Sequence, residues 1–88
     1  MKERQISAVA SVLVEWNPLG DEAKNVKDLD GYRVEAIDII AGFYLHGSSA
    51  NLVAHAMKVL NQAFGLKLTL QDCTAPAQKI AAVLAKEP

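Results

Sequence analysis

Residues 31–46 constrain this chain more than any other stretch. Val34, Ile37, Ala41, Tyr44 and Leu45 recur at three- and four-residue steps, which predicts a helix with these residues as its main apolar stripe. Ile39, Ile40 and Phe43 widen the stripe until the helix is apolar on most sides. Only Glu35, Asp38, Gly42 and His46 remain as a narrow polar seam. A helix with so little polar surface belongs at the centre of a fold or against another chain.

The remaining segments read as helices too. Ile6, Val9, Ala10, Leu13 and Trp16 share one face of a helix over 3–16, with Glu3, Ser7, Ser11 and Glu15 opposite. Pro18 disfavours helical geometry at Asn17, and Asn17-Pro18-Leu19-Gly20 suits a type I turn. Residues 18–30 show no clear period and are rich in Asp, Glu, Lys and Asn, with room for one helical turn near 21–25. Asp30 is placed to cap the second helix and Gly47 to stop it. Ser48 or Ser49 opens a third helix, with Val53, Ala56, Met57, Leu60 and Phe64 inward and Asn51, His55, Lys58 and Gln62 outward, ending at Gly65. Leu66 to Leu70 alternates like a strand, but nothing else in the chain can pair with it. Thr74 is the expected cap of a fourth helix, with Pro76 in its first turn and Ala77, Ile80, Val83 and Leu84 inward. The expectation is therefore all-α: a small, four-helix bundle-like single domain over 1–88, with a long acidic loop between helices 1 and 2.

A chain of 88 residues has room for one core and buries only about 60% of its unfolded surface. Chains of this size need extra support, from disulfides, a metal or a partner. Cys73 is the sole cysteine, so no intrachain disulfide exists. The excess apolar surface of the second helix points to a second subunit as the support, that is, to a homodimer. Lys2 and Arg4 before the run Ile6–Val14 imitate a signal peptide, but Ser7 and Ser11 interrupt it and no cleavage site follows. The run is also far short of the roughly 20 apolar residues that span a bilayer. The expected location is cytoplasmic, with no membrane partner.

The formal net charge of −1 hides a dipole. Residues 15–38 hold Glu15, Asp21, Glu22, Asp28, Asp30, Glu35 and Asp38 against Lys24, Lys27 and Arg33, a net −4, and the remainder is +3. The cluster is either a solvated surface near a helix start, where the dipole favours acids, or a contact face for a basic partner. The basic residues are scattered singly without interleaved aromatics, so nucleic acid is not an expected partner.

The acidic segment also invites a calcium reading, which fails on spacing. With Gly31 at the sixth position of an EF-hand loop, the first is Val26 and the twelfth Ile37, and neither carries a carboxylate. An irregular divalent-cation or small-ligand site built from Asp28, Asp30, Glu35 and Asp38 stays open as an alternative. Glu35 and Asp38, three apart, could split their pKa values as acid and base, but no activated nucleophile or cofactor motif accompanies them. His46 and His55 lack zinc-ligand spacing, and Cys73 reads as a small buried hydrophobe. No cofactor, metal or catalytic residue is therefore assigned.

Two stretches resemble a family of small bacterial proteins of unknown function. Glu15-Trp16-Asn17-Pro18-Leu19-Gly20 is similar to that family's Trp-Asp-Pro-Ile-Gly turn, with Asn17 in place of an acid. The run 30–39 is similar to its Asp-Glu-Tyr-Asp-x-Glu-Ile-x-Asp-Ile. There Asp30, Tyr32, Glu35, Asp38 and Ile39 match, while Gly31 and Arg33 depart. The similarity spans residues 10–65. It implies an all-helical fold, no established activity and, by analogy with small proteins encoded near toxins, an immunity- or antitoxin-like role. From the residues themselves, Trp16 is expected to anchor the first helix and Tyr32 to pack back toward it, with its hydroxyl on a carboxylate. The functional expectation is a non-enzymatic protein-interaction module, self-associating, with Trp16, Asp28, Asp30, Tyr32, Glu35 and Asp38 as its contact face.

Overall fold

The structure is a computed structural model that describes residues 2–46 and 49–86. Four α-helices account for most of the chain: α1 (Glu3–Trp16), α2 (Arg33–His46), α3 (Ser49–Phe64) and α4 (Leu70–Lys86). Short 310 segments cover Gly20–Asn25 and Asp30–Tyr32, and no strand occurs among the described residues. The fold is all-α, as expected. The expected stop at Gly47, the capping side chain of Ser48 or Ser49 and the side chain of His46 lie outside the described residues.

Each helix packs on two others in a closed ring: α1 on α2, α2 on α3, α3 on α4 and α4 on α1. Directions follow from the side chains that meet. Tyr32, before α2, reaches Asn17 at the end of α1, whereas Tyr44, near the end of α2, reaches Gln5 in the first turn of α1. Hence α2 runs antiparallel to α1. Tyr32 also meets Phe64 at the end of α3, its ring edge-on with centroids 5.9 Å apart. Asp72, in the first turn of α4, shares a groove with Glu15 and Trp16 at the end of α1. The helices therefore alternate up and down, and the core between them holds Val9, Leu13, Ile39, Ile40, Leu52, Leu60 and Ile80.

The second helix turns its expected face outward. Ala36, Ile39 and Ile40 are fully buried, while Val34, Tyr44 and Leu45 are 58%, 55% and 81% exposed. The stripe read as the main one from the sequence is thus the outer one. The reason is physical: when both sides of a helix are apolar, periodicity carries no direction, and the neighbouring helices choose the side. Gln5 is a second departure. It is buried in α1, its carbonyl accepting from the Lys2 N–H and its amide donating to the Tyr44 hydroxyl.

The long acidic loop is not found. Leu19, Ala23, Val26 and Leu29 recur every third or fourth residue and pack against the core, while Asp21, Glu22, Lys24 and Asp28 stay in water. Ala23 lies within the 310 segment Gly20–Asn25, and Leu19 and Val26 flank it at either end. The turn at 17–20 does form, closed by the Gly20 N–H on the Asn17 carbonyl. Asp30 is not the cap of α2: it lies three residues before the helix, with φ of 46°. Gly31 and Tyr32 follow at 61° and 62°, so the chain enters α2 through a left-handed turn. Glycine adopts that conformation freely, whereas a bulky tyrosine there is strained by roughly 1–2 kcal/mol.

The fourth helix starts earlier than Thr74. Thr69 caps it: its hydroxyl accepts from the Asp72 N–H at 3.1 Å, and the Asp72 carboxylate accepts from the Thr69 N–H at 3.0 Å. This reciprocal box satisfies two otherwise orphaned amides. Thr74 instead donates to the Leu70 carbonyl inside the helix. Pro76 is accordingly an interior proline, buried beside α1. Asn61 secures the connection from α3, its amide pairing with both the N–H and the carbonyl of Leu68.

Candidate functional site

The six residues expected to form one contact face are dispersed. Asp28 and Asp30 are exposed, and Asp30 lines a groove along α1 with Ser7, Ser11, Val14 and Arg33. Trp16 is half-buried and faces α4, beside Pro76 and Lys79. Asp38 is exposed on a different groove, between α2 and α3, and Glu35 is half-buried. Tyr32 is buried, only 2% exposed. Among the described residues no three His, Cys, Asp or Glu side chains come together as a group that could hold a metal ion.

Tyr32 and Asn17 join the turn after α1 to the turn before α2. The Tyr32 hydroxyl donates to Asn17 Oδ1 at 3.0 Å, and the Leu19 N–H points to the same hydroxyl at 3.5 Å. Its partner is an amide, not the expected carboxylate. Asn17 Nδ2 meanwhile donates to the Gly20 carbonyl at 3.2 Å. Asparagine both accepts and donates here, a pair of tasks an ionised aspartate cannot perform. Burial pushes the Tyr32 hydroxyl pKa up, and the negative charge of Glu35 adds to that. The buried tyrosine holds the strained turn in place.

The carboxyl group of Glu35 is raised above its usual range, first by burial and then by the charge of Asp38. The pair is electrostatically coupled, but Asp38 opens to the α2–α3 groove and Glu35 is not among that groove's walls. Cys73 is buried in α4, and desolvation, with Asp72 nearby, raises its thiol pKa. A thiol in that setting is held protonated and is a poor nucleophile. Glu3 and Arg33 form a bidentate, exposed ion pair between α1 and α2, and the guanidinium lowers the Glu3 carboxyl pKa.

The α2–α3 groove is the surface feature that the sequence did not reveal. Asp38, Ala41, Gly42 and Leu45 line one side; His55, Lys58, Val59, Gln62 and Ala63 line the other. Its floor depends on one glycine. A Cβ on Gly42 would stand 2.0 Å from His55 Nε2, so only glycine admits the imidazole. That nitrogen lies 3.0 Å from the Asp38 carbonyl. A carbonyl oxygen can only accept, so His55 Nε2 carries the proton and donates. The i, i+3, i+4 pattern had placed His55 outside the core. The missed signal was Gly42, a glycine inside a helical pattern, which marks a close approach. The outer strip of α2 borders this groove. Val34, Ile37, Ala41, Tyr44 and Leu45 fall at heptad-like spacing, and three of the five are more than half exposed.

No helix among the described residues is long and apolar enough to cross a membrane. Comparison with known proteins adds no relative: no family model, curated protein or solved structure matches the chain.

Proposed function

We propose that the protein is a non-enzymatic protein-interaction module whose contact surface is the outward strip of α2 with the groove beside it. One observation carries this reading. The four helices close their core without Val34, Tyr44 and Leu45, which stay more than half exposed along a single helix. Scattered exposed apolar residues are ordinary, but a continuous strip marks a binding surface. Full burial of a large apolar side chain stabilises by about 1.5–3 kcal/mol, so the exposed parts of these three hold about 4 kcal/mol in reserve. Association itself costs at least about 4 kcal/mol, so the contact suits a reversible partner. The exposed acids of residues 21–38 flank this surface in sequence and favour approach by a basic patch.

The test places a photo-reactive amino acid at position 45 and, separately, at Gln78 on the exposed side of α4. Irradiation in the producing cells is expected to give a discrete adduct from position 45 and none from position 78. Excess wild-type chain should compete the adduct away, and Leu45→Glu chain should not. Equal labelling at both positions, or none at 45, overturns the reading. An immunity-like role corresponds to an adduct with a different protein at the same position.

A further inference from the structure

The α2–α3 groove carries on one patch everything that a two-fold contact needs. Leu45 is the most exposed of the large apolar residues and stands at the groove's edge as a knob. The groove itself, about 540 Å³, has the small residues Ala41 on its α2 side and Ala63 on its α3 side, while the space above Gly42 is filled by the His55 imidazole. Charge is divided in the same way. Asp38 projects from the α2 side and Lys58 from the α3 side, and neither has an ion-pair partner among the described residues. In an isologous contact the same patch appears twice, turned by half a revolution, so a knob needs a hole and an acid needs a base on the same surface. Knob, hole, acid and base all occur here, within one groove.

We infer that the occupant of this groove is a second copy of the same chain, docked groove to groove about a two-fold axis. Leu45 of each copy enters the groove of the other, and Asp38 of each faces Lys58 of the other. A partner of a different kind would need no such division of charge across the groove. The inference rests on the interaction reading above and names its partner.

Sedimentation equilibrium of the purified full chain tests it, from micromolar to near-millimolar concentration. A monomer–dimer equilibrium is expected. Leu45→Glu should weaken the dimer by at least about tenfold, because it drives a charge into an apolar contact. Asp38→Lys and Lys58→Asp should each weaken it by about tenfold, since each sets like charges face to face twice. The double variant Asp38→Lys/Lys58→Asp should restore association to near the wild-type value, a rescue that misfolding cannot imitate. Helical circular dichroism must stay unchanged in all four, as expected for exposed positions. A chain that remains monomeric throughout, or single variants that dimerise as well as the wild type, or a double variant without rescue, overturns the inference. If the chain is monomeric but position 45 still labels another protein, self-association fails and the interaction reading stands. If position 45 labels nothing, both fail.

Discussion

Gly42 and His55 allow a sharp test of the packing between α2 and α3. Alanine in place of glycine inside a helix ordinarily stabilises by roughly 0.5–1 kcal/mol. At position 42 the new methyl group would meet His55 Nε2 at 2.0 Å. The imidazole must then leave, giving up its bond to the Asp38 carbonyl, about 1 kcal/mol, while overpacking adds about 1–3 kcal/mol. Gly42→Ala should therefore destabilise the native background by about 1–3 kcal/mol net of the propensity gain. For a domain of this size that lowers the melting temperature by roughly 4–24 °C. With His55→Ala already in place the obstacle is gone, and the same Gly42→Ala should stabilise by roughly 0.5–1 kcal/mol. The change of sign between backgrounds is the signature, with a coupling energy of about 2–3 kcal/mol in the double-mutant cycle. Urea unfolding of the four proteins at one fixed concentration measures it. If Gly42→Ala stabilises both backgrounds, His55 does not occupy the space above Gly42.

Three further outcomes follow from the local chemistry. Thr69→Ala should cost about 1 kcal/mol through loss of the reciprocal cap, while Thr74→Ala should be nearly silent in urea melts. Equal losses would move the start of α4 back toward residue 74. Asn17→Asp should destabilise by about 1 kcal/mol near neutral pH, because an ionised carboxylate cannot donate to the Gly20 carbonyl. Tyr32→Phe should lose about as much by removing the separate bond from its hydroxyl to Asn17 Oδ1, and the double variant Asn17→Ala/Tyr32→Phe should lose less than the sum of its singles. Glu35→Gln should alter the pH dependence of stability. The folded carboxyl pKa is raised, so the folded state holds the proton more tightly than the unfolded chain. Wild-type stability then falls as pH rises from the ordinary glutamate value, about 4.3, through the raised folded value. The glutamine variant should be the more stable protein above that window and equal to wild type below it. Urea midpoints from pH 3.5 to 8 would show the two curves diverging upward, and a wild-type advantage at neutral pH would refute the burial of Glu35.

Helix ends were legible in the residues wherever backbone chemistry is local. Pro18 and Asn17 close α1, Gly65 closes α3 in a left-handed conformation, and the inward residues of α1, α3 and α4 follow from helical spacing. Those segments carry one apolar and one polar side, so the pattern has a direction. The sequence also held the inward residues of the α1–α2 connection in Leu19, Ala23, Val26 and Leu29, and the α4 cap in Thr69 and Asp72, though a stronger-looking threonine before a proline concealed the second. Tertiary structure alone decided the rest. α2 is apolar all round, and only the positions of α1 and α3 select Ala36, Ile39 and Ile40 for the core and leave Val34, Tyr44 and Leu45 outside. The same packing drew Tyr32 inward through a strained turn and divided the expected acidic face among separate grooves. The proposed contact surface therefore lies on a stripe that periodicity identifies but cannot orient, since a pattern fixes which residues share a side and only neighbours fix which side meets water.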